Sequence, residues 1–100
     1  MKNRKVMSML SLCQKAGKIV SGEFAVEKSL QEGSSFLVII AEDASDNTKK
    51  KFENKSFFYK VDCLKYSTKV EISQAIGKLN RSVFSIIDEG FANKIKNDIN

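Results

Sequence analysis

Two hydrophobic patterns alternate along the chain. Phe36-Leu37-Val38-Ile39-Ile40-Ala41 is an apolar run without polar alternation, which predicts a strand covered on both faces. Glu42-Asp43 and a Ser-Asp-Asn run follow, so the strand ends where a loop and helix begin. Ser82 to Ile87 reads as a second largely buried strand, and Lys18 to Ser21 as a short edge strand. Phe57-Phe58-Tyr59-Lys60-Val61 reads as a further strand, with Leu64 and Tyr66 continuing its edge.

Between these runs the apolar spacing becomes helical. Val6, Met9, Leu10, Cys13 and Ala16 form one stripe over Asn3 to Ala16, and Gly17 supplies a stop. Gly22, Ala25, Val26, Ser29 and Leu30 share a face from Gly22 to Glu32, with Ser21 as the expected cap and Glu23 placed to meet the positive helix end. Ser45 is placed to cap a helix from Asp46 to Lys55, whose apolar face is thin: Phe52, with Thr48 one turn before it. Thr68-Lys69-Val70-Glu71 has capping-box spacing and opens a helix burying Ile72, Ala75 and Ile76. Asp88 caps a last helix with Phe91, Ala92, Ile95 and Ile99 inward. The order predicts an α/β sandwich with helices on both faces of a mixed sheet.

Phe24 breaks the pattern. On the second helix it falls nearly opposite the apolar face, with Lys28 one turn along on the same outer side. Packing under a loop or against another subunit explains such a residue more simply than ligand binding does. Lys49-Lys50-Lys51 spreads over about 200° of its helix, so it reads as a solvated face rather than the lining of one groove.

At 100 residues the chain has the length of one domain, residues 1–100. Its 17 Lys and Arg against 12 Asp and Glu leave +5, which favours polyanions. Cys13 and Cys63 lack metal-ligand spacing and read as buried thiols in a reducing, cytoplasmic setting. The apolar run after Lys2, Arg4 and Lys5 is short and broken by serines, so it is not a secretory signal, and Leu12 is too large to precede a lipoprotein cysteine. No stretch approaches the ~18 apolar residues of a membrane span.

With no histidine, imidazole metal sites and His-based acid–base catalysis are excluded. Phosphate-loop, dinucleotide and nucleophile-elbow motifs are absent. The remaining enzyme-like feature is Glu42, Asp43 and Asp46 beyond the central strand, a place where acids can hold magnesium. A turn and a helix start account for Asp43 and Asp46 more simply. No catalytic residue, cofactor or metal is expected.

Leu10 to Glu23, Leu37 to Lys51, Ala75-Ile76-Gly77-Lys78 and Asp88-Glu89-Gly90-Phe91-Ala92 together resemble the bacterial YlxQ proteins, within the superfamily of ribosomal protein L-seven-Ae. The resemblance implies a three-layer α-β-α sandwich around a four-stranded mixed sheet. It also implies binding of structured RNA, ribosomal or kink-turn-like, in a ribonucleoprotein. A protein partner from the transcription or translation machinery is the further expectation.

Two RNA-contacting places follow from the resemblance. One is the start of the second helix, where ribosomal members read Gly-x-Asn-Glu-x-x-Lys. Here Gly22 and Lys28 keep that pattern, while Phe24-Ala25 replaces the Asn-Glu pair that reads tandem G·A edges. The other is the loop Lys78-Leu79-Asn80-Arg81-Ser82, about one residue shorter than the archaeal type. Phenylalanine stacks but offers no hydrogen bond to a base edge, so the expectation is RNA binding with relaxed kink-turn preference. The expected RNA-binding residues are Lys15, Lys18, Gly22, Glu23, Phe24, Lys28, Lys78, Asn80, Arg81 and Ser82, with the five basic residues bordering one surface. A protein-interaction module on the same fold, using Phe24 and the central groove, is the alternative.

Overall fold

The computed structural model describes residues 4–99. The expected helix start at Asn3, and Lys2, lie outside them. The elements are α1 (Arg4–Lys15), β1 (Ile19–Ser21), α2 (Glu23–Glu32), β2 (Leu37–Ile40), α3 (Asp46–Phe58), β3 (Asp62–Lys65), α4 (Lys69–Ala75), β4 (Val83–Ile86) and α5 (Glu89–Ile99). The strands form one sheet in the order β1-β4-β2-β3, with β2 parallel to β3 and the other pairs antiparallel. This is the expected α/β architecture, with β2 and β4 inside the sheet and every residue of both strands buried.

Period-two alternation divides the core between the sheet's faces. Leu37, Ile39, Phe84 and Ile86 pack with α1, α4 and α5. Val38, Ile40 and Val83 face α2 and α3, where Val26, Leu30 and Phe52 meet them. That second layer also holds a polar seam: the Ser85 hydroxyl lies 2.9 Å from that of Ser29 and donates to that of Ser35 at 2.7 Å. Each buried hydroxyl thereby gains a partner, which offsets its desolvation.

Two expectations are corrected. Phe57 and Phe58 belong to the last turn of α3, not to a strand, because the buried stripe Thr48, Phe52, Ser56 continues at four-residue spacing. The chain then turns through Lys60 at φ 61, the Val61 N–H donates to the Ser56 carbonyl, and the edge strand begins at Asp62. Ser21 does not cap α2. It pairs with Phe84 in the ladder, and Gly22 (φ 92) is the N-cap, with no side-chain hydrogen bond. The remaining caps form as the sequence implies: the Ser45 hydroxyl accepts from Thr48 N–H at 3.1 Å, Thr68 from Glu71 at 3.2 Å, and Asp88 from Phe91 at 2.9 Å. Glu71 differs in detail, since its carboxylate accepts the Ser67 and Thr68 hydroxyls.

Candidate nucleic-acid interface

One end of the sheet gathers the start of α2, the β2–α3 turn and the loop before β4. Backbone hydrogen bonds stitch them together: Gly22 N–H to Val83 C=O at 3.0 Å, Ala41 N–H to Ser82 C=O at 2.9 Å, and Glu42 N–H to Ser67 C=O at 2.8 Å. The loop is held to α4 because the Arg81 N–H donates to the Ser73 hydroxyl at 3.0 Å. Arg81 is thereby set against α2. A Cβ at position 22 would stand 3.2 Å from its Nη1, so glycine allows the guanidinium this close approach. The guanidinium lies where the unpaired N–H groups of a helix start concentrate positive potential.

Glu23, the one carboxylate in the first turn of α2, does not offset that potential as a free anion. Its Oε2 accepts the Thr48 hydroxyl at 2.9 Å, and its Oε1 lies 3.3 Å from Lys51 Nζ. One turn on, Glu27 pairs with Lys55 at 2.9 Å. The hydrogen bond from Lys55 holds the Glu27 carboxyl below the usual glutamate range. These contacts clamp α2 to α3 and neutralise two lysines of the basic helix.

Phe24 projects outward as the helical spacing implies and is 83% exposed. Its ring and Lys28 border two shallow hollows on α2, of about 470 and 310 Å³; the second reaches to Val20 and Ile87 at the sheet edge. Lys28 makes only a 3.9 Å contact with Glu32, both largely exposed, a pairing of small worth.

The structure brings together Gly22, Glu23, Phe24, Arg81 and Ser82, with Lys28 one turn beyond. Asn80 is exposed in the same loop at φ 55, and Lys78 stands where the chain leaves α4, its N–H on the Ser73 carbonyl. Lys18 is not part of this grouping. Lys18 lies at the opposite end of the β1–β4 ladder, where its carbonyl accepts the Ile87 N–H. At about 3.3 Å per residue it is roughly 13 Å from Gly22 along the strand. Strand register, which the sequence pattern leaves open, thus puts Lys18 beside Ile87, at the far end of the hollow that Phe24 and Lys28 border, rather than beside Arg81.

Of the acids beyond β2, Asp43 has an architectural role in a hydrogen bond and Asp46 one by its place on a helix. Asp43 Oδ1 accepts the Lys69 N–H at 2.9 Å, tying the turn to the start of α4, and Asp46 lies in the first turn of α3. Among the described residues no group of three His, Cys, Asp or Glu side chains is placed to hold a metal ion. Burial, with a contribution from the Asp88 charge, pushes the Cys13 thiol up to about 12, and burial also raises Cys63. Neither is set up as a nucleophile. No helix of the described residues is long and apolar enough to cross a membrane.

Sequence reasoning missed the contact of Arg81 with Gly22 and the exposure of Leu79 in the loop, 84% accessible. It also missed the exposed aromatic end of α3; the four-residue spacing Thr48–Phe52–Ser56 was the signal that could have kept that segment helical.

A family model described as "Ribosomal protein L7Ae/L30e/S12e/Gadd45 family" matches residues 4–96. A protein of Enterococcus faecium named RNA-binding protein YlxQ is 42% identical over 93 residues, covering 93% of this chain and 89% of its own length. A Bacillus subtilis protein of the same name is 41% identical, covering 87% of each. Among solved structures, a Bacillus halodurans protein of unknown function superposes with TM-score 0.93 at 34% identity, covering 97% of this chain and 98% of its own. The Giardia lamblia 15.5kD RNA binding protein shares the fold, with TM-score 0.79 at 19% identity, covering 99% and 88%. The matched span and these relatives show that the chain belongs to the ribosomal protein L7Ae/L30e/S12e/Gadd45 family.

Proposed function

We propose that this protein is a non-catalytic RNA-binding protein. Its single domain, residues 1–100, grips structured RNA of ribosomal or kink-turn-like form, with relaxed specificity, in the cytoplasm. The observation that carries this reading is the start of α2, where the Arg81 guanidinium abuts a glycine without a side-chain cap and, two residues on, Phe24 is left exposed. The names of the YlxQ relatives support RNA as the ligand class.

The chemistry there favours backbone and stacking contacts. Arg81, Lys28 and Lys78 supply positive charge for phosphates, which position an RNA without reading its sequence. Phe24 supplies a stacking face, while Ala25 adds no donor or acceptor toward a base edge. Each bidentate edge contact so forgone is worth about 1–3 kcal/mol of discrimination. Lys18 is reached by an RNA that runs the length of β1.

The test is a titration of a kink-turn RNA and a plain duplex of equal length at several salt concentrations. Both should bind, with less than roughly tenfold preference, and log affinity should fall with log salt at a slope of about −2 to −3 for two or three phosphates. No binding, or affinity indifferent to salt, overturns the reading. Leu79 favours a second reading, a protein-binding module for the transcription or translation machinery. It gains if Leu79→Ser abolishes a protein contact while RNA binding is absent.

A further inference from the structure

The end of the sheet opposite the Gly22–Arg81 grouping carries a second kind of surface. Phe57 is 86% exposed and Phe58 75%, and Tyr59 follows them at the exit of α3. The Phe58 and Tyr59 rings meet edge to face at 4.9 Å, which fixes one ring against the other. Successive helix positions differ by about 100°, so Phe57 and Phe58 splay to two sides of the helix end. Two large rings left in water on a 100-residue chain gain nothing from burial within their own fold.

The charge around the rings indicates what covers them. Glu53 is held by Lys65 at 2.8 Å, and Asp62 by Lys96 at 2.7 Å. Lys60, adjoining the rings, and Lys50, two turns before Phe57, have no carboxylate within ion-pair distance among the described residues. The local balance is therefore cationic. A second copy of this chain would set like charge against like, whereas a polyanion with exposed bases matches both rings and lysines.

We infer that the C-terminal end of α3, through Phe57, Phe58 and Tyr59 with Lys50 and Lys60, is a stacking platform for unpaired nucleotides. It rests on the RNA reading above and extends it: the RNA carries a single-stranded segment beside the structured part. The 13 residues of α3 place the platform about 20 Å along the helix axis from its start. A single strand leaving the structured part spans that distance within the site sizes of about 4–16 nucleotides that stacking surfaces occupy.

The experiment compares one structured hairpin with the same hairpin carrying a tail of about ten adenosines on either its 5′ or its 3′ end. One tailed form should bind the unaltered protein roughly tenfold more tightly than the bare hairpin. F57A/F58A should remove that gain and leave bare-hairpin affinity within about twofold. K50E/K60E should reduce the gain without touching the rings, which guards against a misfolded aromatic variant. Phe24→Ala should weaken both RNAs alike. If the bare hairpin binds but neither tail adds affinity, or if the gain survives F57A/F58A, this inference is wrong and the RNA reading stands. If the hairpin itself does not bind, the RNA reading fails first. Concentration-dependent dimerisation lost in F57A/F58A, with no tail effect, would assign the rings to self-association and overturn the inference.

Discussion

The two ends of the sheet expose side chains for opposite reasons. Where α2 begins, most polar groups hold the fold together: Glu23 holds Thr48 and Lys51, Asp43 holds the start of α4, and Ser73 holds Arg81. Those contacts leave over Phe24, the Arg81 guanidinium and, one turn on, Lys28. At the far end, Phe57 and Phe58 continue a helix whose buried stripe is already complete in Phe52 and Ser56. Their exposure is set by helical phase alone. Exposure by itself therefore says little, and the neighbouring contacts decide which exposed groups are available.

The sharpest break in that contrast lies within α3. Phe52 is fully buried and Phe57 is 86% exposed. Phe52→Ala should cost about 3–5 kcal/mol through lost burial and a cavity. Phe57→Ala should stay within about 0.5 kcal/mol. Urea unfolding of both variants checks this, and a comparable loss for Phe57 would mean that the end of α3 is packed rather than exposed.

The two glycines flanking α2 sharpen it further. Gly22 has φ 92 and ψ 155, a region glycine alone occupies readily, and an added Cβ would press on Arg81. Gly22→Ala should cost about 1–3 kcal/mol of stability and lower RNA affinity several-fold by displacing the guanidinium. Gly33 has φ 75 with open space around it, so Gly33→Ala should cost about 1–2 kcal/mol and leave RNA affinity unchanged. Equal RNA effects from the two would separate affinity from the position of Arg81.

Much of this architecture is legible in the residues themselves. The unbroken run at Leu37 to Ile40 identifies an interior strand because burial on both faces removes any reason to alternate. The caps at Ser45, Thr68 and Asp88 are local chemistry, and Phe24 outward follows from a wheel. The failures are equally physical. Phe57-Phe58-Tyr59 has the composition of a strand, yet the packing of Phe52 and Ser56 carries the helix through it. Gly22 replaces Ser21 as the cap because Ser21 is committed to the β1–β4 ladder. Lys18 falls away from the α2 start because the pairing of β1 with β4 puts it beside Ile87, and no local pattern encodes that.

The clamp between α2 and α3 should leave a small mark on the pH dependence of stability. Glu27 is held below its ordinary value of 4.5 by Lys55. Its contribution is complete above that pH and is lost as pH falls through the lower folded value. Lys55 is raised above its ordinary 10.5, so its half is present below that pH and fades as pH rises through the folded value. Glu27→Gln should flatten the acid-side loss of stability in melts taken between about pH 5 and pH 3. An unchanged acid limb would mean that the pair contributes nothing measurable, as many exposed pairs do.

The central claim is that RNA meets the protein at the start of α2, with Phe24 providing a stack and no edge reading. Competition between a kink-turn RNA and a plain duplex tests it most directly, in the unaltered protein, in Phe24→Ala and in F24N/A25E. Phe24→Ala should weaken both RNAs about tenfold, equivalent to loss of one stacked base. F24N/A25E restores hydrogen-bonding side chains at that position, and its preference for the kink-turn should rise by roughly tenfold or more. If Phe24→Ala leaves RNA affinity untouched and F24N/A25E leaves the preference unchanged, RNA does not contact this helix start and the account is contradicted.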